Sequence, residues 1–158
     1  MGTVYRGGRS AAGMKFGIAA GAFNELIVEK LVAGAIELIA ASGGDRDAID
    51  VAWCPGAVEL PLVAKKLADS GRYDAVIGIG CVIRGGTPHF DYVSAQASNG
   101  LARVQLDAGM PVRNGLLSTI AAGVSLGSGR QASMTFSRRF AGVSGLRCAS
   151  REYEPSRF

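Results

Sequence analysis

The chain is short of the residues that most often carry chemistry. It has one histidine, three cysteines and one tryptophan in 158 residues. Cys54, Cys81 and Cys148 form no C-x-x-C pair and no even framework, which argues against a disulfide scaffold and for a reducing, cytoplasmic setting. A lone histidine with no ligand spacing leaves no structural metal to expect. No apolar run approaches 18 residues, so no membrane span is expected. The opening MGTVYRGGRSAAG holds no apolar core, so no secretory signal is expected either. Acids are missing between Asp107 and Glu152, and every cation after residue 110 is an arginine. That basic, Ser- and Gly-rich end reads either as an anion- or RNA-binding arm or as a poorly ordered tail. It carries no aromatic interleaving and no nucleic-acid motif, so a nucleic-acid partner is not expected.

Glycine is in excess: 23 of 158 residues is about twice ordinary usage. No three-residue glycine period accompanies it, which excludes a collagen-like chain. Hydrophobic residues at 48% and charged residues at 19% describe a globular protein. A single α/β domain over 1–158 is expected, with a flexible arm at 1–14 and a divergent, poorly ordered tail at 120–158. A chain of this length buries roughly 70% of its unfolded surface and needs no staples.

Strand and helix signals alternate. Residues 15–20 (KFGIAA) form a short apolar run, followed by a turn at Gly21–Asn24. Asn24 is placed as an N-cap, with Glu25 in the positive first turn. Ile27, Leu31, Ala35 and Leu38 then recur at helical spacing until Gly43-Gly44. Residues 49–53 read as a second strand and 57–70 as a second helix, with Pro61 tolerated near its start. Residues 74–80 (DAVIGIG) suit a strand buried on both faces. A glycine-rich loop at 84–88 leads into a helix over 90–108, and 112–117 forms a fourth strand. This β-α-β-α-β-α-β order predicts a flavodoxin-like three-layer sandwich: a doubly wound, parallel four-stranded sheet with helices on both faces. Ligands of such sheets bind outside the carboxyl ends of the strands. The unusual residues of this chain follow those ends.

His89 is the one candidate for both general acid and general base, because imidazole titrates near neutrality. The alternative is a loop histidine with no role. Gly85-Gly86-Thr87 before a helix offers backbone N–H groups to a phosphate, or is a plain turn. Phe23 stands where it would stack on a flat heterocycle, or belongs to the core. Glu59 enters a helix and either accepts hydroxyl hydrogen bonds or merely faces the helix dipole. Cys54 and Cys81 would need an adjacent base to act as nucleophiles, and none is evident.

Four motifs at fitting spacings then carry a specific resemblance: Phe23-Asn24, PGAVELP at 55–61, GCVIRGGTPHFDYV at 80–93 and MPVRNG at 110–115. From about Lys15 to Thr119 the chain resembles the 6,7-dimethyl-8-ribityllumazine synthase family. The resemblance implies condensation of 5-amino-6-(D-ribitylamino)uracil with 3,4-dihydroxy-2-butanone 4-phosphate, a step of riboflavin biosynthesis that uses no cofactor and no metal. It implies that Phe23 stacks on the pyrimidine beside Asn24, and that Ala57, Val58 and Glu59 hold the ribityl chain. Backbone at Cys81, Val82 and Ile83, with Asn114, would hold the pyrimidine edge. Gly86 and Thr87 would bind phosphate and His89 would move protons. It also implies a homo-oligomer, a pentamer or a shell of sixty subunits, and riboflavin synthase as a further partner. After Thr119 the chain departs from the family's pattern. The position of the phosphate-binding arginine falls on Ser128, and Arg130 is the nearest replacement. This departure keeps a second reading open: a non-catalytic ribityl-pyrimidine- or flavin-binding or shell-forming member with an impaired phosphate site. A flavodoxin-like carrier is a third.

Overall fold

The computed structural model describes residue 2, residue 4 and residues 7–119. The expected tail, with Ser128 and Arg130, lies outside the described residues. Within them the chain runs β1 (Phe16–Gly21), α1 (Glu25–Ala41), β2 (Ile49–Cys54), α2 (Leu60–Asp69), β3 (Ala75–Ile83), α3 (His89–Ala108) and β4 (Val112–Thr119). Short 3-10 turns precede β2 and α2, at Arg46–Ala48 and Ala57–Glu59. All strand pairs are parallel, in the order β2-β1-β3-β4.

That order follows from the composition of the strands. All six residues of β1 are buried, as are the first seven of β3. Runs so continuously apolar belong in the middle of a parallel sheet, covered on both faces. β2 and β4 take the flanks, with partly exposed residues. Ile18 is in register with Val51 on one side and Ile77 on the other.

From β1 the chain moves one way to β2, then returns past β1 to β3 and β4. Right-handed crossovers in opposite directions put their helices on opposite faces. Accordingly α1 packs on Phe16, Ile18, Ala20, Ile77 and Ile79, while α2 and α3 pack on Ala19, Val76 and Val112. Helices therefore cover both faces, as the alternation predicts.

Several details differ from the sequence reading. The buried stripe of α1 is Val28, Val32, Ala35 and Ile39, one position on from Ile27, Leu31 and Leu38, which are only partly buried. The helix is apolar around most of its girth, so spacing alone does not choose the inward line. β3 extends three residues beyond Gly80, because Cys81, Val82 and Ile83 continue the ladder against Leu117, Ser118 and Thr119 of β4. Finally, Ala11 and Met14 of the expected arm are buried in the core beside α1. The Ala11 N–H donates to the Ser42 carbonyl at 2.8 Å, and the Met14 N–H to the Ala11 carbonyl at 3.1 Å. The chain is thus anchored before β1 begins.

Glycines on β3 set the spacing of the second helical layer. A Cβ on Gly78 would stand 2.7 Å from Leu101 Cδ1, and one on Gly80 would stand 2.9 Å from Leu60 Cδ1. Both leucines are fully buried, so neither has room to swing away. Gly78→Ala is expected to destabilise the fold by about 1–3 kcal/mol through overpacking. Urea unfolding, with the m-value unchanged, checks this.

Candidate functional site

Where β1 and β3 lie side by side, the chain leaves them in opposite directions. A crevice opens at this switch point, outside the carboxyl ends of the strands. Three hydrogen bonds lace its floor. The Ala22 N–H donates to the Cys54 carbonyl at 2.8 Å and the Phe23 N–H to the Pro55 carbonyl at 3.1 Å. The Asn24 side-chain amide donates to the Cys81 carbonyl at 3.1 Å. The segments after β1 and β2 and the end of β3 are therefore fixed to one another. Gly21 permits this: a Cβ there would stand 3.2 Å from the Gly56 carbonyl carbon.

Asn24 does not act as a side-chain cap. It stands at the start of α1 in the left-handed region, φ 64° and ψ 41°, with no capping hydrogen bond. Asparagine tolerates that conformation better than most residues, and its amide is spent on β3 instead. The carbonyl of Asn24 accepts from Ile27 and Val28, closing the first turn of the helix.

The resulting cleft holds about 410 Å³, within the range of small-ligand sites. Phe23 forms one wall and is largely exposed, so it is not a core residue. Ala57, Val58 and Glu59 of the 3-10 turn form the second wall, close to Phe23: a Cβ on Gly56 would stand 3.4 Å from Glu59 Oε2 and 3.8 Å from Phe23 Cβ. Cys81, Val82 and Ile83 line the base. Gly85, Thr87 and His89 form the far lip. His89 is the first residue of α3 and is exposed, with Pro88 at the cap position. The first turn of α3 has no side-chain cap, so its positive end stands beside the lip, with the Asp91 N–H bonded to the Pro88 carbonyl at 3.0 Å.

Two expected residues sit apart from this lining. Gly86 lies in the lip loop between two lining residues without itself forming the wall. Asn114 is on β4 in register with Gly78, three steps down the strand from the rim at Cys81. Its amide donates to Ser98 Oγ at 3.0 Å, and its carbonyl oxygen accepts from the Leu116 N–H at 2.9 Å. Arg130 lies outside the described residues. Pro55, Phe90 and Val93 also line the cleft. Val93 follows His89 at helical spacing and Phe90 is its immediate neighbour; both stand in the 80–93 motif, and Pro55 in the 55–61 motif.

The thiols offer no nucleophile. Burial pushes the Cys81 thiol above its ordinary pKa. Burial first, then the Glu59 carboxylate, raises that of Cys54, against a smaller lowering by its hydrogen bond to the Gly56 backbone. Both stay protonated at neutral pH. Among the described residues no group of three or more His, Cys, Asp or Glu side chains is placed to hold a metal ion.

A family model described as 6,7-dimethyl-8-ribityllumazine synthase matches residues 13–124. The chain belongs to the 6,7-dimethyl-8-ribityllumazine synthase family. Two curated relatives, both from strains of Clostridium kluyveri and both named 6,7-dimethyl-8-ribityllumazine synthase, are 52% identical over 116 residues, covering 73% of this chain and 75% of each relative. The matched segment contains every described residue of the cleft.

In this member of the lumazine synthase family the Asn24 bridge has a measurable signature. Asn24→Ala loses the bond to Cys81 and keeps the left-handed backbone, so a loss of about 1–3 kcal/mol is expected. Asn24→Gly relieves the backbone and is expected to lose less. Chemical denaturation of the two variants side by side checks the order. A second expectation concerns the thiols: at neutral pH, Cys54 and Cys81 should alkylate more slowly than a free cysteine, as read by peptide mapping after timed iodoacetamide exposure.

Proposed function

We propose that the chain is a 6,7-dimethyl-8-ribityllumazine synthase, condensing 5-amino-6-(D-ribitylamino)uracil with 3,4-dihydroxy-2-butanone 4-phosphate to the lumazine, inorganic phosphate and water. The supporting observation is the convergence, in one cleft, of an exposed aromatic ring, a carboxylate, a strand-end backbone and a histidine at a helix start. Each suits one part of the two substrates.

In this reading Phe23 stacks on the pyrimidine, while the backbone of Cys81, Val82 and Ile83 meets its polar edge. Asn24 keeps these two walls at a fixed separation. Ala57 and Val58 flank the ribityl chain, and Glu59 accepts hydrogen bonds from its hydroxyls. The phosphate lies at the amino end of α3, where the positive helix end, Gly86 and the Thr87 hydroxyl favour an anion. Imine formation, loss of phosphate and ring closure each require proton transfer. His89 stands at that end of the cleft and serves as the base and the acid in turn. Holding two substrates in register supplies much of the remaining acceleration. Asn114, turned to Ser98 on the flank of the sheet, has no place in this cleft within a single chain. A role in substrate binding would need it to serve another copy.

A homo-oligomer, a pentamer or a larger shell, extends this reading. Leu26 at 80% exposure and Leu62 at 64% are apolar side chains left in water by the single chain. Phe23, Trp53 and Val58 are further exposed apolar side chains. Buried against a second copy, such side chains would stabilise association.

The purified chain is mixed with both substrates, and lumazine is followed by absorbance and fluorescence. Turnover well above the uncatalysed background is expected, and background-level formation would reject the proposal. His89→Ala should lower kcat by roughly 10²–10⁴, the usual worth of a positioned acid–base group. Sedimentation of the same sample should give a species heavier than one chain.

A further inference from the structure

The lip that carries Thr87 and His89 is the least supported part of the cleft. Residues 84–89 are exposed, and a Cβ added at Gly85 or Gly86 would meet nothing within 4 Å. Among the described residues, no side chain packs against these two glycines. The loop is instead held at its ends. On the near side, the Arg84 N–H donates to the Thr119 carbonyl at 2.8 Å, fixing the end of β3 to the end of β4. From the same residue, the guanidinium reaches across the loop: Nη2 donates to Asp91 Oδ1 at 2.6 Å. It also lies over the Phe90 ring, 4.6 Å from its centroid. Phe90 itself lines the cleft. Arg84 therefore grips both residues that follow His89 and closes a ring of eight residues, 84–91, around the lip.

We propose that Arg84 and Asp91 are positioning residues. Their ion pair, with Phe90 packed beneath the guanidinium, sets where His89 and Thr87 stand relative to the pyrimidine wall. This inference rests on the lumazine synthase reading for its kinetic consequence, but not for its structural one. Both side chains are about half exposed, 45% and 55%. Pairs of that kind contribute little to global stability. Their effect is local: the pair spans the loop, whose far end is also held by the Asp91 N–H bond to the Pro88 carbonyl at 3.0 Å and by the start of α3. A displacement of about 1 Å at a reacting group lowers a rate by up to about 100-fold. Arginine suits the task because its planar fork can pair with a carboxylate and stack on a ring at once. Lysine would keep the charge and lose the stacking.

The test uses the full-length chain and the variants Arg84→Gln, Arg84→Lys, Asp91→Asn and the double variant Arg84→Gln/Asp91→Asn. The chain has one histidine, so its imidazole carbon–proton signals are identified in an NMR spectrum without assignment. In the Gln and Asn variants those signals should move and broaden, while the unfolding midpoint stays near that of the parent. With both substrates, kcat should fall about tenfold or more, with the KM for the ribitylamino-uracil nearly unchanged, since its wall is built on β1, β2 and β3. Arg84→Lys should recover part of the loss. The double variant should be no worse than the weaker single one, because both remove one interaction. An unmoved histidine signal overturns the proposal, as does a parent-level kcat in the Gln and Asn variants or additive losses in the double variant. If the parent itself shows no turnover, the functional reading fails, and the histidine signal alone decides this inference.

Discussion

Every feature of the cleft depends on β1 lying between two parallel neighbours. Its six residues are buried on both faces, and a parallel strand cannot be joined to either neighbour by a tight turn. The chain must cross over the sheet, right-handedly, once toward β2 and then back toward β3. That requirement places α1 on one face and α2 and α3 on the other. It also forces the segments leaving β1 and β3 apart, and the crevice between them is what remains. The cleft is thus a by-product of how a buried strand can be connected.

The crevice is made rigid by cheap means. Backbone hydrogen bonds from Ala22 and Phe23 to Cys54 and Pro55 join the first two strand ends, and one asparagine amide joins the first to the third. Beneath the floor, fully buried Leu60 and Leu101 reach the sheet only because Gly78 and Gly80 present no side chain. The glycine excess of the chain is partly explained here: on β3 it sets helix-to-sheet distance, and in the lip it leaves the loop bare. The same residue type serves opposite ends, close packing in one place and open space in the other.

The alternation of elements was legible because the buried strands are short apolar runs separated by segments of helical length. What was not legible shares a physical origin. The inward line of α1 was displaced by one residue because Ile27 and Val28, and Leu31 and Val32, are equally apolar neighbours; only the sheet they meet decides between them. Asn24 has the composition of a cap, yet its side chain found a partner fifty-seven residues away, which no local pattern contains. The last three residues of β3 lie beyond the strand expected at 74–80, and β4 is long enough to pair with them. Ala11 and Met14 looked like an arm because nothing local marks them, and a groove beside α1 accepted them. In the cleft, Phe23, Glu59 and the Cys81–Ile83 segment were legible from their places after strand ends. Asn114 was not, since its register with Gly78 depends on where β4 begins to pair.

The division of labour along the chain has a consequence for how the cleft tolerates change. The walls assigned to the pyrimidine and the ribityl chain are built on strand ends and share hydrogen bonds with the sheet. A change there alters the fold and the site together. The lip is built on a helix start and a loop, joined to the sheet through Arg84. A change there alters the site with little effect on the fold. Beside the packing of α3 on the sheet, the two halves are coupled through one exposed ion pair and a single aromatic ring. Exposed pairs are weak in water and screened by salt, so this coupling is easily adjusted. It also lies between the wall assigned to one substrate and the histidine to which proton transfer is assigned.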